Sequence, residues 1–124
     1  MARILVVDDE FEVCDILNKF LTSKGYSVDT ALDGNTAINK VKEFSPNVVL
    51  LDIMMPGIGG IETLKEIKKI DPSIGVIMVT AVIDEALAKR ALEIGAFEYI
   101  TKPINLHYLE NVVLVKMADF WDKD

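Results

Sequence analysis

The chain has 124 residues, 51% of them hydrophobic, and its 20 Asp and Glu against 13 Lys and Arg leave a net charge of −7. So much apolar material excludes global disorder, and an acidic balance without clustered Lys or Arg excludes a nucleic-acid or anionic-membrane surface. The lone cysteine, Cys14, excludes an internal disulfide or a structural zinc site, and no apolar run approaches the ~18 residues of a membrane span.

The length predicts one domain over residues 1–124. The opening MARILVVDDE places acids directly after its apolar run, unlike a secretory signal, so a reduced, cytoplasmic protein is expected. In chain order, Arg3–Asp8 (RILVVD) reads as a buried strand ending in acids. Glu12–Ser23 carries Val13, Ile16, Leu17, Phe20 and Leu21 at helical spacing, and Gly25 closes it. Tyr26–Ala31 is a weaker, alternating strand, and Asp33–Phe44 a helix with Ala37, Ile38 and Val41 inward, stopped by Ser45-Pro46. Asn47–Asp52 (NVVLLD) is the clearest strand, followed by a Pro/Gly-rich loop and a helix over Ile61–Ile70 with Ile61, Leu64 and Ile67 on one side. Ile74–Thr80 is a further buried strand and Asp84–Ile94 an Ala-rich helix ended by Gly95. Phe97–Thr101 is a short strand, and Asn105 caps a last helix running toward Trp121.

Five strands thus alternate strictly with five helices. Strands that are apolar throughout belong to a parallel sheet covered on both faces, which predicts a doubly wound α/β architecture. In such a sheet ligands bind beyond the carboxyl ends of the strands. Those ends deliver Asp8, Asp9 and Glu10 from the first strand, Asp52 from the third, Thr80 from the fourth and Lys102 from the fifth. Singly, each has an ordinary use; Asp8 or Asp9 could cap the first helix. Together, the carboxylates repel one another unless a proton or cation enters, and hard oxygen donors with room for water suit Mg²⁺. A carboxylate at a strand end can act as a nucleophile toward a phosphoryl group, Lys102 can offset the charge that develops, and Thr80 can donate a hydrogen bond.

VVDDE after the first strand, LLDIMMPGIGGIE after the third, VTA after the fourth and GAFEYITKP around the fifth resemble a response-regulator receiver domain of two-component signalling, over essentially the whole chain. The resemblance implies a flavodoxin-like (βα)5 fold with strand order 2-1-3-4-5. It implies that Asp52 is the phosphoacceptor for a histidine kinase or histidine phosphotransfer protein, and that Asp8, Asp9, Asp52 and the backbone carbonyl of Met54 hold Mg²⁺. Thr80 and Lys102 would contact the phosphoryl oxygens, Tyr99 would be the switch residue coupled to Thr80, and the Lys102–Pro103 bond would be cis. Such a protein is a signalling phosphoacceptor, not an enzyme toward other substrates, and its readout would be the surface of the fourth helix, fifth strand and fifth helix. Gly59 and Ile104 depart from the residues more usual in the family, which bears on loop stiffness and partner preference. Met54 and Val82, two beyond Asp52 and Thr80, stand where the family tunes access of hydrolytic water. Two apolar residues there predict slow self-dephosphorylation.

The last helix places Leu106, Leu109, Val113, Met117 and Phe120 on one inward stripe and leaves Tyr108, Leu114, Val115 and Trp121 largely off it, which predicts a partner or homodimer contact. Phe11, Val13 and Cys14 begin the first helix beside the acids. The resemblance makes this helix a docking element for the kinase, with Val13 and Cys14 reading better as core. His107 reads as a surface residue. No residues remain after the last helix for an output domain, so a stand-alone regulator is expected, with a receiver excised from a larger transcriptional regulator as the alternative. An aspartyl phosphohydrolase is weaker, because the place of its second acid is Met54. A flavodoxin-like electron carrier is weaker too, because Asp-Asp-Glu replaces an anion-welcoming loop. Gly57-Ile58-Gly59-Gly60 does not complete a dinucleotide fingerprint, since Glu62 stands at the third glycine's place.

Overall fold

A computed structural model describes residues 2–121, with Trp121 by its backbone alone. The elements are β1 (Arg3–Val7), α1 (Phe11–Ser23), β2 (Ser27–Ala31), α2 (Gly34–Phe44), β3 (Val48–Leu51), α3 (Gly59–Ile70), β4 (Gly75–Thr80), α4 (Glu85–Ile94), β5 (Glu98–Thr101) and α5 (Leu106–Trp121). All the strand pairs are parallel and the sheet order is β2-β1-β3-β4-β5, the flavodoxin-like arrangement. Each predicted element is present, with ends shifted by one or two residues.

Strand alternation explains why the strands read as continuously apolar. Ile4, Val6, Val48, Leu50, Ile77 and Val79 face one core with Leu17 and Leu21 of α1 and Leu109, Val113 and Met117 of α5. Leu5, Val7, Val49, Leu51, Val76 and Met78 face a second core with residues of α2, α3 and α4. A sheet buried on both sides can carry no polar alternation until its strands run out. Polar chemistry therefore collects at their ends.

Three helix stripes need correction, and in α2 the buried set is Gly34, Ala37 and Val41, without Ile38. In α1 the inward set is Cys14, Leu17 and Leu21, whereas Ile16 is 56% exposed. Cys14 takes the inward position, its buried thiol donating to the Asp8 carbonyl at 3.4 Å, and the stripe rotates away from Ile16. Burial pushes that thiol up to about 11, so it is a small buried hydrophobe as expected. In α5 Val112 joins the core, while Tyr108, Leu114 and Val115 stay exposed. The Trp121 side chain of that expected outer face lies outside the described residues. Asn105 caps α5 as read, accepting from the Tyr108 amide at 3.0 Å, and His107 is exposed. Among the described residues no helix is long and apolar enough to cross a membrane.

Candidate functional site

The backbone first sets the strand-end residues side by side. The Asp8 amide donates to the Ala31 carbonyl and the Asp52 amide to the Val7 carbonyl, each at 3.1 Å, so both acids leave the sheet at the same level. The Lys102 amide donates to the Thr80 carbonyl at 2.8 Å, which ties the ends of β5 and β4 together. The Lys102–Pro103 peptide is cis.

On that frame one ammonium serves three carboxylates. Lys102 Nζ lies 2.7 Å from Asp8 Oδ2, 3.2 Å from Asp52 Oδ2 and 3.7 Å from Glu10 Oε1. The Asp8 and Asp52 side chains are 3% and 6% exposed, while that of Glu10 is 63% exposed. The remaining oxygens are used locally, Asp8 Oδ1 accepting from the Glu10 amide at 2.9 Å and Asp52 Oδ1 from the Met54 amide at 3.1 Å. Neither Asp8 nor Asp9 caps α1; its N-cap is Glu10, with no side-chain cap bond.

The electrostatics record the crowding. Burial raises the Asp8 carboxyl above its ordinary value; the hydrogen bond from Lys102 opposes that shift without cancelling it, and Asp52 adds to it. Burial pulls the Lys102 ammonium down, but its hydrogen bonds to Asp8 and Asp52 more than offset this, and the net shift is upward. Lys102 stays charged, shared among acids it does not fully neutralise. Among the described residues, Asp8, Asp9 and Glu10 can each aim one oxygen so that all lie within 4.8 Å of one another. Oxygens about an octahedral Mg²⁺ lie at most ~4.2 Å apart, so this hard-donor set fits such an ion after small side-chain adjustments. Glu10 belongs to that cluster, whereas Asp52 is joined to Asp8 through Lys102. Met54, two residues beyond Asp52, is 64% exposed.

Thr80 and Tyr99 meet at the next loop. Thr80 is fully buried and its Oγ1 accepts from the Val82 amide at 3.3 Å; the Tyr99 hydroxyl donates to the Val82 carbonyl at 2.7 Å. Tyr99 is half-buried, packed against the second core. Burial, with Asp84 and Asp52 nearby, raises its hydroxyl above the ordinary value, so it remains a donor.

This strand-end arrangement coincides with a known family. The family model for the response regulator receiver domain matches residues 4–114. The chain belongs to that family. A CheY-like receiver domain protein from Methanospirillum hungatei is 30% identical, with 100% of this chain and 99% of that one covered and a TM-score of 0.95. A receiver domain protein from Clostridium thermocellum is 32% identical over all of both chains, with a TM-score of 0.93. A CheX–CheY–BeF3–Mg²⁺ complex from Borrelia burgdorferi contains a chain 35% identical, covering 92% of this chain and 87% of that one, with a TM-score of 0.88.

One positioning residue of this receiver escaped the sequence reading. A Cβ at Gly60 would collide with the Asp52 carbonyl and the Ile53 Cα, and the Gly60 amide donates to the Ile53 carbonyl at 2.9 Å. The start of α3 thus presses directly on the backbone that carries Asp52. The glycine run was the available signal, and its use is backbone contact rather than nucleotide binding.

Proposed function

We propose that this receiver is a phosphoacceptor switch in which Asp52 takes a phosphoryl group from a phosphohistidine of a histidine kinase or histidine phosphotransfer protein. The observation that carries the reading is a nearly buried Asp52 carboxylate, at a strand end, held 3.2 Å from the ammonium that also holds Asp8. An Asp52 oxygen attacks phosphorus in line, the O–P bond forms, the P–N bond breaks, and the imidazole leaves with its proton. Lys102 follows the charge onto the phosphoryl oxygens. A Mg²⁺ held by Asp8, Asp9, Asp52 and the Met54 carbonyl would supply further charge neutralisation when bound. The chain catalyses only its own phosphorylation and dephosphorylation. The BeF3 and Mg²⁺ named with the Borrelia relative support this reading.

The switch acts through Val82. Thr80 gives up the Val82 amide to donate to the new phosphoryl group, which brings roughly two negative charges. The loop that Tyr99 holds by the Val82 carbonyl then rearranges, and the Tyr99 ring follows inward. Exposed Tyr108, Leu114 and Val115 on α5 make the α4–β5–α5 face the readout, with a protein partner or a second copy covering it.

Acetyl phosphate or phosphoramidate with Mg²⁺ is expected to add one phosphoryl group, seen by intact mass, and Asp52→Asn to abolish the adduct. A wild type that never labels, or an Asp52→Asn variant that labels normally, rejects the reading. A flavin spectrum in the purified protein would favour the electron-carrier reading instead.

A further inference from the structure

Glu10 stands at the N-cap of α1, where Ser, Thr, Asp or Asn would satisfy free helix amides, yet its side chain makes no capping bond. Its carboxylate is instead 3.7 Å from Lys102 Nζ, the same ammonium that contacts the Asp52 oxygen. At 63% exposure it lies on the solvent side of two nearly buried acids, where a donor must enter. With Asp8, Asp9 and Asp52 against Lys102, it leaves the mouth a surplus of three negative charges, and one after a divalent cation is added.

We propose that Glu10 is a specificity-determining residue that selects phosphodonors by charge. It favours donors whose leaving nitrogen is already protonated over dianionic acyl phosphates. The proposal rests on Asp52 being the phosphoacceptor. With phosphoramidate, which carries one net negative charge near neutral pH, an Asp52 oxygen forms the O–P bond, the P–N bond breaks, and the protonated nitrogen leaves as ammonia. With acetyl phosphate, a dianion, the P–O bond breaks and acetate leaves. Both reactions use the same nucleophile and the same ammonium. Glu10 opposes the dianion more strongly, and it also draws Lys102 outward from Asp52. A phosphohistidine with a protonated ring resembles phosphoramidate, so the same charge turns the site toward protein donors.

Because Glu10 belongs to the acidic donor cluster, the test measures initial rates of adduct formation by intact mass at Mg²⁺ shown to saturate each variant separately, with each donor below saturation. Glu10→Gln is expected to raise the acetyl phosphate to phosphoramidate rate ratio about fivefold, the size of one partly screened charge interaction. Glu10→Asp keeps the charge and is expected to hold the ratio near wild type. Raising salt to about 0.5 M should raise the wild-type ratio and leave that of Glu10→Gln nearly constant, because screening removes the same interaction. A Glu10→Gln ratio unchanged within about twofold, or both rates falling in step, overturns the proposal while Asp52 labelling stands. If Asp52→Asn labels as wild type does, or the wild type fails with both donors, the phosphoacceptor reading falls and the proposal with it.

Discussion

Val82 is where two side chains of opposite demand meet, Thr80 accepting from its amide and Tyr99 donating to its carbonyl. Its own side chain is apolar, as is that of Met54, which projects from the residue two beyond Asp52. Neither can orient or polarise a water for attack on a phosphorylated Asp52, so the adduct should be long-lived. The double variant Met54→Asn with Val82→Glu is expected to shorten its half-life by about tenfold, less than the ~10²–10⁴ of a fully positioned general base because these side chains are newly placed. The decay of the phosphorylated mass after donor removal checks this, and an unchanged half-life sinks it.

At the scale of elements, α3 is held by contact and α2 by its cap. Gly60→Ala forces a methyl into the backbone of Asp52 and Ile53, which is not free to move, and is expected to cost about 1–3 kcal/mol. Gly75→Ala meets first the Lys116 side chain, which can shift where backbone cannot, and should cost less. Urea denaturation separates them, and equal midpoints for Gly60→Ala and wild type would refute the contact argument. In α2, Asp33 accepts from the Thr36 amide at 2.8 Å and its hydroxyl at 3.1 Å. These bonds, the amide first, hold its carboxyl below the ordinary 3.8. A depressed folded value means the stabilisation is complete above that ordinary value and is lost as pH falls through the folded one. Asp33→Ala should therefore cost about 1 kcal/mol at pH 7 and progressively less in acid. Asp33→Asn should keep most of the cap without the pH dependence. Thermal melts at neutral and acid pH decide it; an Asp33→Ala deficit that stays constant down through the folded value would refute the charge's role.

For the whole molecule, the arrangement of α5 matters most. Leu109, Val113 and Met117 are fully buried against the sheet, yet Tyr108 at 48%, Leu114 at 41% and Val115 at 62% exposure remain on the outside. A helix apolar on both sides implies a second cover. Light scattering of the protein treated with BeF3 and Mg²⁺ is expected to show about twice the monomer mass, in line with a two-fold, self-complementary contact. A monomer with and without that treatment would count against self-association and leave a heterologous partner.

Much of this receiver was legible in its residues. Continuous apolar runs in β1, β3 and β4 announce a sheet covered on both faces, and such a sheet confines charge to strand ends. Asp8, Asp52, Thr80 and Lys102 were therefore placed by chain order alone. The helix stripes were less legible where a neutral position competed: Cys14 displaced Ile16 because burial depends on where the neighbouring strand lies, not on hydrophobicity alone. What only the tertiary structure decided were contacts between residues distant in the chain. Lys102 reaches Asp8 across 94 positions and Asp52 across 50, and Gly60 meets the Asp52 carbonyl through a loop whose path no local pattern specifies. Periodicity reports which face an element buries. It carries no information on how far one element's end stands from another's, and that distance makes Lys102 a shared counter-ion and Glu10 a charge at the mouth of the site.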